Sequence, residues 1–592
     1  MYFKDEESVK GYFWKIKEYD EKLALTIFQK NNVSEIVSRL LAIRGINYDE
    51  VESYLEPKLK NLLKNPYHLL DMDKAVNTIY GAIIAKKNIC VYGDYDVDGA
   101  SATALLVKFF KAIGIKITSY VPDRIDEGYG LNDCSVKHLK EQGVDLIITV
   151  DCGISSCEPI DLANQLGIEV VVTDHHLGPV NMPHAKAIVN PNRFDETSEF
   201  KYLAGVGVAF MTLIALNSYL REHNYYSDNN IKEPNLLLYL DLVALGTVCD
   251  VMPLKSINRA FVKQGLQIFK QRKNIGLATL CDYSEINEIN DTYHLGYVLG
   301  PRINACGRVG EVSVGNKILS CDDPFEARIL ANKLNKFNID RQNIEKDLLD
   351  LAIQQVEKKN LLNEKLIFIE GNNWHEGVIG IIASRIKDKY NRPVIVCSIS
   401  DTECKASCRS VDASIDIGSV ILEAKEAGLL ISGGGHAMAG GFNFKKENKE
   451  KIREFITEKV KDKLNVYLSK NEVDVDLVLD VNDINPKLIK DIDSIGPYGA
   501  GNHKPKIVIK NAIVVNIKAF GKNNEHLRLI VKSSNRKTGN NSLIVNVFRT
   551  NNPDKIFKVI SEKHQFSMLG TLSLNRWMGL DNIQFILEDI CL

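Results

Sequence analysis

The chain has 592 residues, 45% hydrophobic and 25% charged, with a formal net charge of −2, an ordinary make-up for a folded protein of roughly four units at about 150 residues each. No apolar stretch approaches the roughly 18 residues that cross a bilayer, and Met1-Tyr-Phe-Lys-Asp-Glu-Glu has neither a basic start nor a signal core; a cytoplasmic chain without a membrane partner is expected. The 12 cysteines show no Cys-x2-Cys pairing, which fits reduced buried thiols, and the near-neutral charge leaves any nucleic-acid binding to local basic residues.

Residues 1–60 are expected to form an N-terminal helical segment. The most informative stretch follows, where Ile89-Cys-Val-Tyr-Gly93 stops abruptly in Asp94-Tyr-Asp96-Val-Asp98-Gly99. Alternate residues of an extended segment point the same way, so three carboxylates converge, and such a charge is tolerable mainly with a cation bound. An EF-hand loop shares this Asp-x-Asp-x-Asp-Gly opening, but it needs a Glu at loop position twelve, where this chain has Leu105. Strand, loop and helix is the better parse. Tyr129, in Glu127-Gly-Tyr-Gly130, is a candidate to stack on a base, with a packed aromatic as the alternative.

Two further apolar runs end in acids: Asp145 to Val150 before Asp151-Cys-Gly153, and Gly167 to Thr173 before Asp174-His175-His176. With helical stretches from Cys134 to Gln142 and Glu158 to Leu166 between them, the pattern is βαβαβ, whose parallel strands present their carboxyl ends along one edge, where ligands of open α/β sheets bind. Leu240 to Cys249 brings Asp250 after another apolar segment, helix or strand being open from the residues alone. The shell is then Asp94, Asp96, Asp98, Asp151, His175 and Asp250, hard oxygen with one imidazole, which suits Mn²⁺ or Mg²⁺ better than zinc and exceeds what one ion needs. Two divalent cations about 3.5–4 Å apart activate a water and neutralise charge on a phosphodiester, so phosphoryl chemistry is the natural reaction class. Taken singly, each Asp reads as a helix cap or turn residue and each His as a core residue; their recurrence at element ends is what favours the metal site.

Arg302, Asn304 and Arg308 form a basic and polar cluster, otherwise read as a solvated face. A long connecting helix is predicted over 320–357. Beyond it, a strand from Lys365 to Glu370 precedes a helix beginning near Trp374, Ser407 and Arg409 follow another apolar run, and Gly433-Gly434-Gly435-His436 to Gly441 reads as a glycine loop whose backbone amides approach an anion closely beside an Arg fork. Past 470, strands are predicted from Val473, Lys506, Ala512, Leu527, Leu543 and Phe566, a spacing suggestive of a small barrel of the OB type, with Phe520, Arg528, Phe548 and Trp577 as stacking or backbone contacts or equally as core.

In order and wording, Gly93-Asp-Tyr-Asp-Val-Asp-Gly99, Val150-Asp-Cys-Gly153, Asp174-His175-His176, Ala244-Leu-Gly-Thr-Val-Cys-Asp-Val-Met-Pro-Leu254 and Gly300-Pro-Arg-Ile-Asn-Ala-Cys-Gly-Arg308 resemble the DHH phosphoesterases, and within them the single-strand-specific exonucleases. The resemblance runs from about residue 30 onward. It implies an α/β architecture: a parallel-sheet DHH catalytic domain (61–319), the connecting helix (320–357), a second α/β, DHHA1-type substrate-binding domain (358–465) and a C-terminal OB-like β-barrel (466–592). It implies metal binding by Asp94, Asp96, Asp98, Asp151, His175 and Asp250; catalytic roles for Asp174, His176 and Arg302; and substrate contacts from Tyr129, Asn304, Arg308, Ser407, Arg409, Gly434, Gly435 and His436. The implied activity is digestion of single-stranded DNA from its 5′ end to mononucleotides in recombination and repair, with a RecQ-type helicase and a single-strand-binding protein as partners. Alternatives are a phosphodiesterase on short oligoribonucleotides or cyclic dinucleotides, and a non-catalytic replication scaffold; the strand-rich C-terminal region weighs against the first and the full set of acids against the second.

Overall fold

A computed structural model of the chain describes all residues except 1, 5–6, 124–126, 129, 469–470, 522–525, 536–540, 549–559, 561–564 and 578–579, together with the side chains of 575–577, 580 and 581. The chain forms two units, one of residues 64–252 and 264–470, the other of 1–63, 253–263 and 471–592. Among the described residues no helix is long and apolar enough to cross a membrane.

In the first unit, five parallel strands lie in the order Thr118–Tyr120, Ile89–Gly93, Leu146–Val150, Glu169–Thr173, Ala187–Val189. The apolar runs read from the sequence are its centre. Every residue of Ile89–Gly93 and Leu146–Val150 is buried, as continuous Val/Ile-rich strands require when helices cover both faces. Helices Asp133–Glu141 and Cys157–Gln165 fall one residue earlier than expected. From Ile89–Gly93 the chain goes first to one neighbour, Thr118–Tyr120, and then to the other, Leu146–Val150, so the winding reverses at Gly93. A crevice at the carboxyl end of that strand follows from this topology, and Asp94 opens onto it.

The connecting helix, Pro324–Lys358, has 35 residues, with Asp323 accepting from the amides of Phe325 and Glu326 and Pro324 at its first turn, the capping arrangement that the Asp-Pro pair encodes. It leads to a second, mixed sheet in the order Ser432–His436, Ala439–Lys445, Glu403–Arg409, Val394–Ile399, Ile367–Asn372. Here one expectation is corrected: residues 433–441 are not a loop but a β-hairpin, Gly434 paired with Gly441 and His436 with Ala439. The glycines serve close strand approach, since a Cβ on Gly433 would stand 2.8 Å from that of Phe442 and one on Gly435 would collide with Ala439 O.

The second unit contains a closed five-stranded barrel: Ile507–Phe520, His526–Ser533, Ser542–Val547, Leu580–Cys591 and Phe566–Trp577, the last pairing back to the first, with Leu477–Asp480 added in parallel. Two segments read as separate strands, from Lys506 and from Ala512, are one strand whose register slips beside Asn511, a residue at φ 59°, and Leu580–Cys591 was missed altogether. The N-terminal segment is helical, Glu21–Asn31 and Glu35–Ile43, but begins with a strand, Phe13–Ile16, paired in parallel with Glu472–Val475. Its Ile27, Leu40 and Leu41 share one core with Leu477, Ile507, Leu529 and Phe585 of the barrel region. Arg259, 2% exposed, lies in the same unit, its guanidinium donating to Tyr54 O at 2.8 Å and to Ile495 O and Gly496 O at 2.7 Å each.

Candidate metal centre and substrate face

Asp94 follows the strand directly and is buried. Asp96 is the N-cap of helix Val97–Ala112, one oxygen accepting from Asp98 N at 2.8 Å and Gly99 N at 3.0 Å, so cap and candidate ligand are the same residue. Asp98, on the first turn, is enclosed and accepts from Gly205 N at 2.6 Å and Val206 N at 2.9 Å, the amide end of helix Gly205–Glu222, where a negative charge is favoured. Asp151 follows Leu146–Val150 with φ 60°. Asp250 resolves the open question of its segment: it terminates helix Leu240–Cys249, not a strand. A carboxylate there faces the unfavourable end of the helix dipole, a second reason to expect a cation beside it.

These pieces meet at His175. Its Nε2 stands 3.1 Å from Asp151 Oδ1, 3.6 Å from Asp250 Oδ2 and 3.8 Å from Asp98 Oδ2. Three donor groups have mutual distances within 4.8 Å: Asp98–His175–Asp250, Asp94–Asp96–Asp151 and Asp151–His175–His176. The first two are disjoint trios, and Asp151 of the second reaches His175 of the first at 3.1 Å. Asp250 Oδ2 is shut from solvent and accepts no hydrogen bond.

The electrostatics agree. Burial and the charge of Asp96 push the Asp98 carboxyl up to about 7; burial and then Asp98 and Asp96 push Asp250 up to about 9; burial and the surrounding aspartates hold Asp151 well above its ordinary value. Such rises mark carboxylates confined together without counter-charge. Burial and its neighbour His176 lower His175 to about 4, leaving a neutral ring able to offer a lone pair. The donor set and this stored repulsion fit two hard divalent cations.

Asp174 is fully enclosed and accepts from Ile154 N at 3.0 Å, His175 N at 2.7 Å, His176 N at 3.1 Å and His176 Nδ1 at 2.8 Å. Burial opposes its ionisation, yet the His176 bond and charge outweigh it and keep the carboxyl low. Against burial, the same bond lifts His176 to about 9. Asp174 is therefore placed to orient His176.

Several residues that the sequence did not flag complete the centre. A Cβ on Gly205 would lie 2.6 Å from Asp151 Oδ1, and one on Gly246 2.6 Å from Asp98 Oδ1. Asn190 and Asn192 donate to the carbonyls of His176 and His175 at 2.9 and 2.6 Å, fixing the backbone of both rings. Gly246 falls within the quoted Ala244–Leu254 motif but its role, like that of the other three, is defined by a partner from a distant segment.

Of the remaining expected residues, Arg302 turns to Asn335 Oδ1 at 3.3 Å and Val298 O at 2.8 Å, toward the connecting helix rather than the carboxylates. Asn304 is half-buried on the same helix, Gly300–Val309. Arg308 donates to Gly377 O at 2.8 Å, at the start of helix Glu376–Tyr390. Ser407 and Arg409 lie side by side, Arg409 Nη1 donating to Ser407 Oγ at 3.2 Å and Nε to Ser384 Oγ at 3.1 Å. Register puts Ser407, Gly441 and Gly434 in one row and Arg409, Ala439 and His436 in the next, so these residues share a sheet face. Nothing stands within 4 Å of a Cβ built on Gly434, and His436 is close enough to act on the charge of His175. Tyr129 lies outside the described residues, as does the Trp577 side chain. In the barrel, Arg528 sits over the Phe520 ring at 5.2 Å, and Phe520 contacts Phe548 edge-on.

This combination of a parallel sheet, carboxylates and paired histidines at its rim, and a glycine-rich hairpin sheet beyond a long helix defines a DHH-type phosphoesterase. Residues 88–247 match the model of the DHH family N-terminal domain, 359–462 that of the DHHA1 domain and 475–589 that of the RecJ OB domain. The single-stranded-DNA-specific exonuclease RecJ of Salmonella typhimurium is 35% identical over 94% of this chain and 95% of its own length, and that of Bacillus subtilis 30% identical over 97% and 70%. The crystal structure of RecJ in complex with Mn²⁺ from Thermus thermophilus superposes with a TM-score of 0.76 at 26% identity, covering 98% of this chain and 79% of that one. The chain belongs to the RecJ family of single-stranded-DNA-specific exonucleases.

Proposed function

We propose that the protein is a divalent-cation-dependent exonuclease that trims single-stranded DNA from its 5′ end and releases mononucleotides. The observation that carries this is the convergence of Asp98, Asp151 and Asp250, from three separate stretches of chain, on one nitrogen of His175. Family membership and the Mn²⁺ and Mg²⁺ complexes of RecJ from Thermus thermophilus support the activity and the choice of metal. Asp94, Asp96, Asp98, Asp151, His175 and Asp250 would hold two cations, which when bound supply activation of a water and neutralise charge on the phosphodiester.

The chain's own residues do the rest. His176, protonated through Asp174, presents a positive charge where negative charge builds on the phosphate during displacement. Ser407, Arg409 and His436, on the hairpin face with the open backbone at Gly434, hold the terminal 5′ phosphate, an arginine fork being suited to phosphate oxygens. Asn304 and Arg308 contact nucleotides next to the carboxylates, and Phe520, Arg528 and Phe548 give the barrel its own contacts to single-stranded DNA. A RecQ-type helicase and a single-strand-binding protein are the proposed partners, on the strength of the resemblance.

Assay of purified protein on single-stranded DNA, duplex DNA and a dinucleotide, with Mn²⁺ and with EDTA, tests the reading: cleavage confined to the single strand with metal is expected, and preference for the dinucleotide would overturn it. Asp151→Ala should abolish cleavage and leave strand binding largely intact; near-normal turnover removes Asp151 from the residues proposed to hold the cations. Arg409→Ala should erase the distinction between phosphorylated and unphosphorylated 5′ ends, and an unchanged preference removes the phosphate grip.

A further inference from the structure

Two aromatic side chains near the carboxylate cluster have no role in the reading above. Tyr293 and Tyr297 are stacked on each other, ring centroids 5.4 Å apart at 22°, yet are 58% and 75% exposed. Tyr293 immediately precedes and Tyr297 lies within the short π-helical stretch His294–Leu299, a backbone form that recurs at functional sites. Packing anchors that stretch to the metal centre. A Cβ on Gly296 would stand 3.5 Å from Val248 Cγ1, and one on Gly300 2.7 Å from Cys249 Sγ, the two residues just before Asp250. The continuing helix Gly300–Val309 brings Gly307 to Tyr95, 3.3 Å from a built Cβ and lying between Asp94 and Asp96. The run from Tyr293 to Arg308 thus abuts the candidate ligands from two sides.

We propose that Tyr293 and Tyr297 form a platform on which a base of the single strand stacks while its 5′ end occupies the carboxylate cluster. This rests on the nuclease reading above. Residues 292–299 contain no Lys or Arg, Asp291 lies 3.3 Å from His294, and the neighbouring Arg302 is engaged with Val298 O and Asn335 Oδ1, so the two rings are the most prominent feature that this stretch offers a strand. Offset rings with outward faces suit uncharged, flat bases, whatever their sequence. A phosphate-gripping face at Ser407 and Arg409 and a base-gripping face at the tyrosines would together hold a strand by both of its chemistries, and the paired, inward-turned bases of a duplex would not be offered to the second.

The test is binding of a 5′-phosphorylated oligonucleotide to the full chain in EDTA, followed by fluorescence anisotropy. Tyr297→Ala should weaken binding about tenfold, as loss of one base stack does, while Tyr297→Phe, which keeps the ring, restores affinity to within about twofold. In Mn²⁺ the alanine variant should raise KM more than it lowers kcat. Walking a single abasic site along the oligonucleotide should reveal one position where wild type loses affinity and Tyr293→Ala/Tyr297→Ala does not lose further. Alanine variants that bind like wild type, or a phenylalanine variant as weak as alanine, overturn the platform and leave the nuclease reading standing. A wild-type chain that neither binds nor cleaves single strands overturns both.

Discussion

Asp151 carries a constrained backbone. It takes φ 60°, a region that Asp visits more readily than most residues, and its carboxylate meets Gly205, where a Cβ would fall 2.6 Å away. Gly246 stands in the same relation to Asp98. Gly246→Ala is therefore expected to displace Asp98 from the two amides that hold it, lowering metal-dependent cleavage by two orders of magnitude or more at a small cost in melting temperature, because the helix itself gains roughly 0.5–1 kcal/mol from the exchange. A parallel measurement of Mn²⁺ affinity and turnover checks this; normal affinity would show that the helix simply moves aside. The acids were legible because each ends an apolar run and their recurrence is hard to explain otherwise. The glycines and Asn190 and Asn192 were not, since a small or amide residue gives no sign of the distant neighbour that demands it.

Elements were legible in proportion to how local their causes are. The buried strands, the capped helix Pro324–Lys358 and the helices between the strands follow from apolar pattern and cap chemistry. The hairpin at 432–445 did not, because glycine runs signal turns, and only cross-strand contact reveals why glycine is needed in a strand. The long bulged strand Ile507–Phe520 was split in two by the Lys510-Asn511 pair, whose polarity reads as a turn although the ladder continues past it. Helix Leu240–Cys249 was ambiguous because it is buried nearly all round. It also buries Asp241 in its first turn, where the carboxylate accepts from Leu242 N at 2.8 Å. Burial, only partly offset by that amide, pushes this carboxyl up to about 7. An unfolded Asp titrates near about 3.9, so the folded chain retains the proton longer, and stability present below that value is lost as pH rises through about 7. Asp241→Asn removes the dependence: the variant's melting temperature relative to wild type should climb from pH 5 to pH 8 and level off above. A gap that stays constant with pH would show that the carboxyl ionises as freely in the fold as out of it.

At the scale of the molecule, the three family matches arrive in chain order, but the units do not. Residues 1–63 and 253–263 join 471–592 in one body, an arrangement invisible to any window along the sequence because it depends on pairings such as Phe13 with Glu472. Arg259 binds these three segments together through Tyr54, Ile495 and Gly496. Arg259→Met should strip the carbonyls of Tyr54 and Gly496 of their arginine donor, Ile495 O keeping Asn502 Nδ2 at 3.1 Å, and destabilise that unit by roughly 3 kcal/mol, read as an earlier transition in urea with the barrel's hydrogen-exchange protection lost first. Protection lost first in the DHH sheet instead would place the arginine's influence elsewhere.

The same interleaving sets a timetable for biosynthesis. Ile27, Leu40 and Leu41, destined for a core completed by Phe585, emerge from the ribosome early and must wait tens of seconds, at about 5–20 residues per second, for the strands that cover them. During that interval the apolar faces of helices Glu21–Asn31 and Glu35–Ile43 stay uncovered, exposure of the kind that chaperones exist to shelter.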